Sequence, residues 1–160
     1  MSDTLLIHAT TISLAGRAVV LRGKSGSGKS DLALQLLESP GTGLALEPLT
    51  VSLIADDQTL LVKRGADIFA AAPPQIRGLL EIRGLGIIPC NSIPEAQVAL
   101  VVDLVTANKV ERLPQPEDQL TEILGITLPR LLLDATLPSA AARLRVAFTI
   151  MVLNTLSSPA

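Results

Sequence analysis

The sequence predicts an α/β fold with a strand-rich N-terminal half and helices packed on a central sheet, and three observations predict it. First, "TLLIHATTISLAGRAVVLRG" holds two β-like runs around Ala15-Gly16, a turn signal, so a hairpin is expected over residues 4–22. Second, Leu32, Ala33, Leu36 and Leu37 recur at helical spacing from Ser30 onward, and Pro40 with Gly41 ends that helix. Third, short apolar runs return after it. "VSLIADDQTLLVKRGADIFAAAPP" reads as a strand ending at Asp56 followed by a hairpin, and "ALVVDLV" (99–105) and "ITLPRLLLD" (126–134) read as further strands. "ESPGTGLALEPLT" is mostly turn chemistry and reads as an exposed excursion. From Ser139 to Leu156 a last helix is expected, with Leu144, Phe148 and Met151 on one face against the sheet.

Composition narrows the function before any motif does. The chain has 160 residues, enough for one domain with one sizeable core, and residues 1–160 are read as a single unit. A formal net charge of -2 leaves no broad positive field for a nucleic-acid backbone. Two Phe and no Trp or Tyr leave no stacking platform for single strands, so nucleic acid is not an expected partner. The single cysteine, Cys90, cannot form an internal disulfide, and the N-terminus lacks a basic stretch followed by an apolar one. The expected compartment is therefore the cytoplasm. Mean hydropathy is +0.49. Yet the longest uncharged apolar stretch, Val146 to Leu156, is short of the ~20 residues that span a bilayer, so no membrane insertion is expected. Spare apolar surface points to self-association.

The densest chemical signal is Gly23-Lys24-Ser25-Gly26-Ser27-Gly28-Lys29-Ser30, which satisfies G-x-x-x-x-G-K-[ST] between a predicted strand and a predicted helix. This is a P-loop. Its glycines let backbone N–H groups turn toward a phosphate, and the helix N-terminus adds partial positive charge. Lys29 is expected on the β- and γ-phosphates of a nucleotide and the Ser30 hydroxyl on Mg²⁺. An acid at the end of a neighbouring strand normally completes such a site. Asp56 and Asp57 lead the candidates, and Asp103 in "LVVD" and Asp134 in "LLLD" are rivals. Adjacent acids on a regular strand face opposite ways, so only one of the pair can lie over the phosphates.

"LLEIRGLGIIP", residues 79–89, separates these candidates. With the P-loop and "LIADD" it resembles the catalytic domain of the bifunctional HPr kinase/phosphorylase family, whose Glu-Ile-Arg-Gly-Leu-Gly-Ile-Ile run is matched from Glu81 to Ile88. His8 stands in the hairpin ahead of the P-loop where that family carries a histidine, and "VERL" around Arg112 resembles the segment bearing its catalytic arginine. The resemblance implies a P-loop kinase-like fold. It also implies phosphoryl transfer from ATP or pyrophosphate to a serine of HPr, the phosphocarrier of the sugar phosphotransferase system. The reverse attack of inorganic phosphate on phosphoserine is implied too.

In that reading Asp56 takes and returns the serine proton, Lys29 and His8 lie by the phosphates, Ser30 and Glu81 hold Mg²⁺, and Arg112 stabilises migrating charge. A homo-oligomer, a hexamer in the family, is implied with it. Read alone, each residue has a plainer role. His8 would be a half-buried strand residue, and Glu81 and Arg83, two apart on one strand, a surface ion pair. Arg143 and Arg145 stand where cations oppose a helix dipole, which points to a bound anion.

Some segments depart from the family pattern. Longer members carry an N-terminal domain ahead of the histidine, and "ESPGTGLALEPLT" is enlarged here. The family's Pro-Val-Lys-Pro-Gly-Arg-like dephosphorylation segment is "PSAAAR", Pro138 to Arg143, which leaves Arg143 as the cation for the reverse reaction. Two other functions stay open: a kinase of the same fold acting on another peptide or a small molecule, and an ATP-dependent switch that transfers nothing.

Overall fold

The structure, a computed structural model, describes residues 3–154. Nine strands form one sheet. Its path runs β1 (Thr4–Ile7), β5 (Thr59–Arg64), β6 (Asp67–Ala71), β9 (Glu95–Leu104), β3 (Arg17–Arg22), β2 (Ala9–Leu14) and β4 (Val51–Ala55). β11 (Ile126–Leu133) adds to β9, and β10 (Leu120–Ile123) adds to β11. A separate hairpin pairs β7 (Leu79–Ile82) with β8 (Gly86–Pro89).

The Ala15-Gly16 turn closes β2 against β3, with φ of 51° and 80° at its two central residues, the doubly left-handed turn that suits a two-residue hairpin. The expected hairpin over 4–22 is shorter at its start. Thr4–Ile7 leaves at His8 and pairs with β5, so His8 sits at the break between two strands rather than within one.

The inner strands are buried on both sides and carry apolar residues along most of their length because both faces of the sheet are covered. Val19 and Leu21 of β3 face one core with Leu100 and Val102, while Ala18 and Val20 face the other. The first face carries both helices, α1 (Lys29–Glu38) through Leu32, Ala33 and Leu36, and α2 (Ala140–Phe148) through Leu144 and Phe148. The second face is closed by strand residues, among them Leu61, Ile68, Ala70 and Leu128. The last helix is shorter than expected: α2 gives way to a π turn, Thr149–Leu153, that ends at Asn154 with φ 52°, and Leu156 lies outside the described residues. No described helix is long and apolar enough to cross a membrane.

Strand direction decides where the chemistry lies. β2 runs antiparallel to both β3 and β4, so those two point the same way, and β9 and β11 run parallel to β3. The P-loop after β3, Asp56 after β4, the segments after β9 and β11, and the start of β2 at His8 therefore share one end of the sheet.

The excursion at 39–50 is exposed at its tip, where Leu44 and Leu46 face solvent, but its base is clamped. Arg145, only 4 % exposed, donates from Nη2 to the carbonyls of Leu36 and Ser39 at the C-terminal end of α1. That end carries partial negative charge, so the cation expected to serve a bound anion instead caps a helix. A side chain on Gly43, at φ +63°, would collide with Thr149 Oγ1 and come within 2.6 Å of the Arg145 carbonyl oxygen. Gly43→Ala is therefore expected to cost about 3 kcal/mol and to lower Tm by roughly 10 °C in thermal unfolding. Gly16→Ala, with an open surround, should cost only about 1 kcal/mol from its left-handed φ.

Candidate active site

β3 delivers Gly23 into the P-loop and α1 begins directly after Gly28, whose φ of 99° only glycine adopts without strain. Gly28 offers no side-chain cap, so the first-turn amides of α1 keep their donors for an anion. The loop is tightly closed. Ser27 N–H donates to the Lys24 carbonyl at 3.1 Å, and any side chain on Gly23 would strike Ser27 Oγ.

Lys29 is buried and its Nζ donates to the carbonyls of Gly23 and Lys24 at 2.6 and 3.1 Å, which holds the ammonium against the loop. Burial lowers its pKa from the ordinary lysine value, and the carboxylates of Asp57 and Asp56 oppose that shift.

Asp56 and Asp57 both follow the last residue of β4, and the chain turns between them. Asp57 has φ 65° and the Gln58 N–H donates to the Asp56 carbonyl at 2.7 Å, so the two side chains part. Asp56 goes inward. Its Oδ1 accepts from Ser30 Oγ at 2.7 Å and Thr10 Oγ1 at 3.0 Å, and its Oδ2 accepts from the Glu81 N–H at 2.9 Å. Asp57 goes outward, its side chain 65 % exposed, with Oδ1 3.2 Å from His8 Nδ1. Thr10 joins the two acids, since its hydroxyl donates to Asp56 and accepts from the Asp57 N–H at 3.1 Å.

These groups line one cleft of about 350 Å³, where the P-loop faces His8, both acids, Glu81 and Arg83. The structure thus brings together His8, Lys29, Ser30, Asp56 and Glu81 from the expected set. Asp57, which leads the candidates with Asp56 before the resemblance favours its neighbour, lines the cleft as well, and Thr10 and Arg83 are additions to the expected set. Arg83 lies in the turn beyond β7 rather than on a strand beside Glu81, so the expected strand-face ion pair is not formed. The buried threonine pair Thr10-Thr11 in β2 is a local sign of a buried polar partner.

Arg112 and Arg143 are not in this cleft. Both line a second cavity of about 730 Å³, and Arg143 Nε donates to Ser139 Oγ at 2.8 Å. The rival acids are also elsewhere. Asp103 accepts from Arg22 at 2.7 and 2.9 Å and Arg130 at 3.4 Å, and Asp134 is held by Thr136.

The family profile described as the HPr Serine kinase C-terminal domain matches residues 1–144. The chain belongs to that family. Within it, the HPr kinase/phosphorylase of Cupriavidus necator is 35% identical over 132 residues, covering 76% of this chain and 38% of the relative. The HPr kinase/phosphorylase of Bordetella pertussis is 31% identical over 167 residues, covering 98% of this chain and 50% of the relative. The chain thus spans between about two fifths and half of the length of these curated family members. The solved Hpr(Ser) kinase/phosphatase of Coxiella burnetii superposes with a TM-score of 0.75 at 22% identity, over 94% of this chain and 97% of that one, which shows the shared fold.

Proposed function

We propose that the chain transfers a phosphoryl group from ATP, or from pyrophosphate, to a serine hydroxyl of HPr. One observation carries the reading: a single cleft places a P-loop lysine, a serine bonded to a buried carboxylate, and an outward carboxylate with a histidine around one small volume. A loose phosphoryl transition state asks the protein mainly to position groups and neutralise charge, and this set does both.

The cleft also suits Mg²⁺. Ser30 and Asp56 present hard oxygens already in contact, and Glu81 lines the same cleft. Among the described residues no cluster of three or more His, Cys, Asp or Glu forms an all-protein metal cage, which accords with a cation that needs few carboxylates beside substrate phosphates. Ser30, Asp56 and Glu81 would hold the ion, and it would supply charge neutralisation on the phosphates.

Lys29 draws charge from the transferred group toward the leaving oxygen. The acceptor oxygen bonds to the γ-phosphorus as the bond to the β–γ bridging oxygen breaks, and the serine proton must leave. The resemblance gives that proton to Asp56. We assign it instead to Asp57, because Asp56 already accepts three hydrogen bonds and is 6 % exposed, whereas Asp57 opens to the side from which a protein can approach. His8 orients the Asp57 carboxylate. A protein acceptor fits the surroundings, since Leu85 and Ile87 stand exposed at the end of the β7–β8 hairpin that borders the cleft.

The forward reaction is the better supported. Bringing phosphate to phosphoserine needs extra positive charge, and Arg143, the cation expected there, faces the other cavity. A homo-oligomer, a hexamer by the resemblance, is part of the same reading. The test is transfer of labelled γ-phosphate to purified HPr beside a peptide panel and a no-acceptor control. Label on a serine of HPr is expected; label only on a peptide, or none with ATP still bound, replaces this reading by one of the two alternatives.

A further inference from the structure

We infer that the larger cavity seats the nucleoside of the donor triphosphate, an inference that rests on the kinase reading and deepens it. The phosphate cleft cannot do so. Its lining is wholly glycine, polar or charged, without one apolar wall for a base. The second cavity, about 730 Å³, lies within the range of small-molecule sites and has apolar walls from Val110, Leu137, Ala142 and Val146.

Its place in the fold points to the same donor. β3, β9 and β11 are parallel neighbours, and in such sheets ligands bind beyond the carboxyl ends of the strands. β3 leads into the P-loop, while Ala107 after β9 and Asp134 after β11 line the cavity. The Val105 N–H donates to the Leu133 carbonyl at 2.9 Å and ties these two segments, and Asp134 beside it accepts from Thr136 N–H and Oγ1 at 2.9 and 2.6 Å. The next residue, Ala135, reaches the P-loop: its Cβ lies 3.0 Å from where a Cβ on Gly28 would stand. On the β9 side Leu104 Cβ lies 3.3 Å from the same position on Gly23. One segment therefore separates the loop that takes phosphates from a cavity with an apolar floor.

The rim is chemically suited to a sugar and its first phosphate. Glu111 and Asp118 supply acceptors for ribose hydroxyls or an exocyclic amino group. Arg112 and Arg143 supply donors for ribose oxygens or the α-phosphate. This gives the two arginines a role on the donor side, away from the acceptor.

Pyrophosphate has no nucleoside, and it separates the two halves of the site. Ala142 is exposed on α2, so Ala142→Trp in the full chain fills the cavity without disturbing the core. In calorimetric titrations with Mg²⁺ the variant is expected to bind ATP roughly tenfold more weakly and pyrophosphate as the wild type does. A variant that melts like the wild type and keeps its ATP affinity, or loses both ligands alike, overturns the nucleoside site and leaves the phosphate cleft standing. A wild-type chain that binds neither ligand overturns both.

Discussion

Asp57→Asn is expected to bind ATP within about a factor of two of the wild type and to lose transfer to HPr by roughly 10²- to 10⁴-fold. The amide keeps the size of the side chain and its place beside His8 but cannot take the serine proton. Asp57 is 65 % exposed and bonds to no part of the P-loop among the described contacts, so its loss leaves the loop's shape alone. Asp56→Asn should fail differently. One of its oxygens holds Ser30 and Thr10 and the other holds the Glu81 N–H, so an amide must keep its oxygen on Glu81 and make both hydroxyls accept, and it takes away the negative charge that would hold Mg²⁺. Affinity for ATP with Mg²⁺ should fall along with the rate. Titration and single-turnover labelling of both variants decide the matter: normal ATP binding with abolished transfer in Asp56→Asn, and near-normal transfer in Asp57→Asn, would return the proton to the inner acid.

Lys29→Ala is expected to weaken ATP binding at least tenfold and to reduce transfer by about 10³-fold or more, with little change in Tm. Its ammonium bonds only the carbonyls of Gly23 and Lys24, within the loop itself, and burial lowers its pKa, so in the folded chain the charge is held at a cost. Removing it relieves that cost while taking away two loop contacts, and these effects oppose each other in stability. In transfer they do not, because Lys29 is the P-loop cation that lines the cleft, where Arg83 comes from the β7–β8 turn instead. Thermal unfolding beside a labelling assay checks both halves; transfer at the wild-type rate would remove the P-loop from the mechanism.

What could be read in the sequence was what is local in the chain. The P-loop, the turn at Ala15-Gly16 and the periodicity of α1 each lie within a short window, and each stands where expected. His8 was harder to place, because the break between β1 and β2 has neither glycine nor proline to mark it, and only the pairing of β1 with β5 reveals it. The parting of the Asp56 and Asp57 side chains depends on a left-handed aspartate after β4, and strand alternation gave no reason to expect that φ. Arg145 reads in the sequence as a cation at the start of a helix, placed for a bound anion. It is buried because it meets the carbonyls of Leu36 in α1 and Ser39 just after it, with the base of the 39–50 excursion against its side chain, a tertiary contact across more than a hundred residues. Arg112 was placed with the phosphates by its neighbours in sequence, and the turn after β9 takes it to the other cavity.

The shared end of the sheet has a consequence for how the chain matures. His8, Lys29, Asp56 and Glu81 come from four separate stretches, and none meets another until β2 has paired with both β3 and β4 and the β7–β8 hairpin has docked on Asp56. The β2–β3 hairpin is local, but the β2–β4 pairing and the contact of the β7–β8 hairpin with Asp56 join distant stretches and form only after their loop-closure entropy has been met. A partly folded chain would therefore carry an intact P-loop sequence and no phosphate site, and nucleotide would select only the finished sheet. Ligand binding of that kind stabilises the native state alone by mass action. A nucleotide that binds the finished phosphate site would then also act as a selective stabiliser of the folded protein, and its presence would favour the completed sheet over every partly folded form.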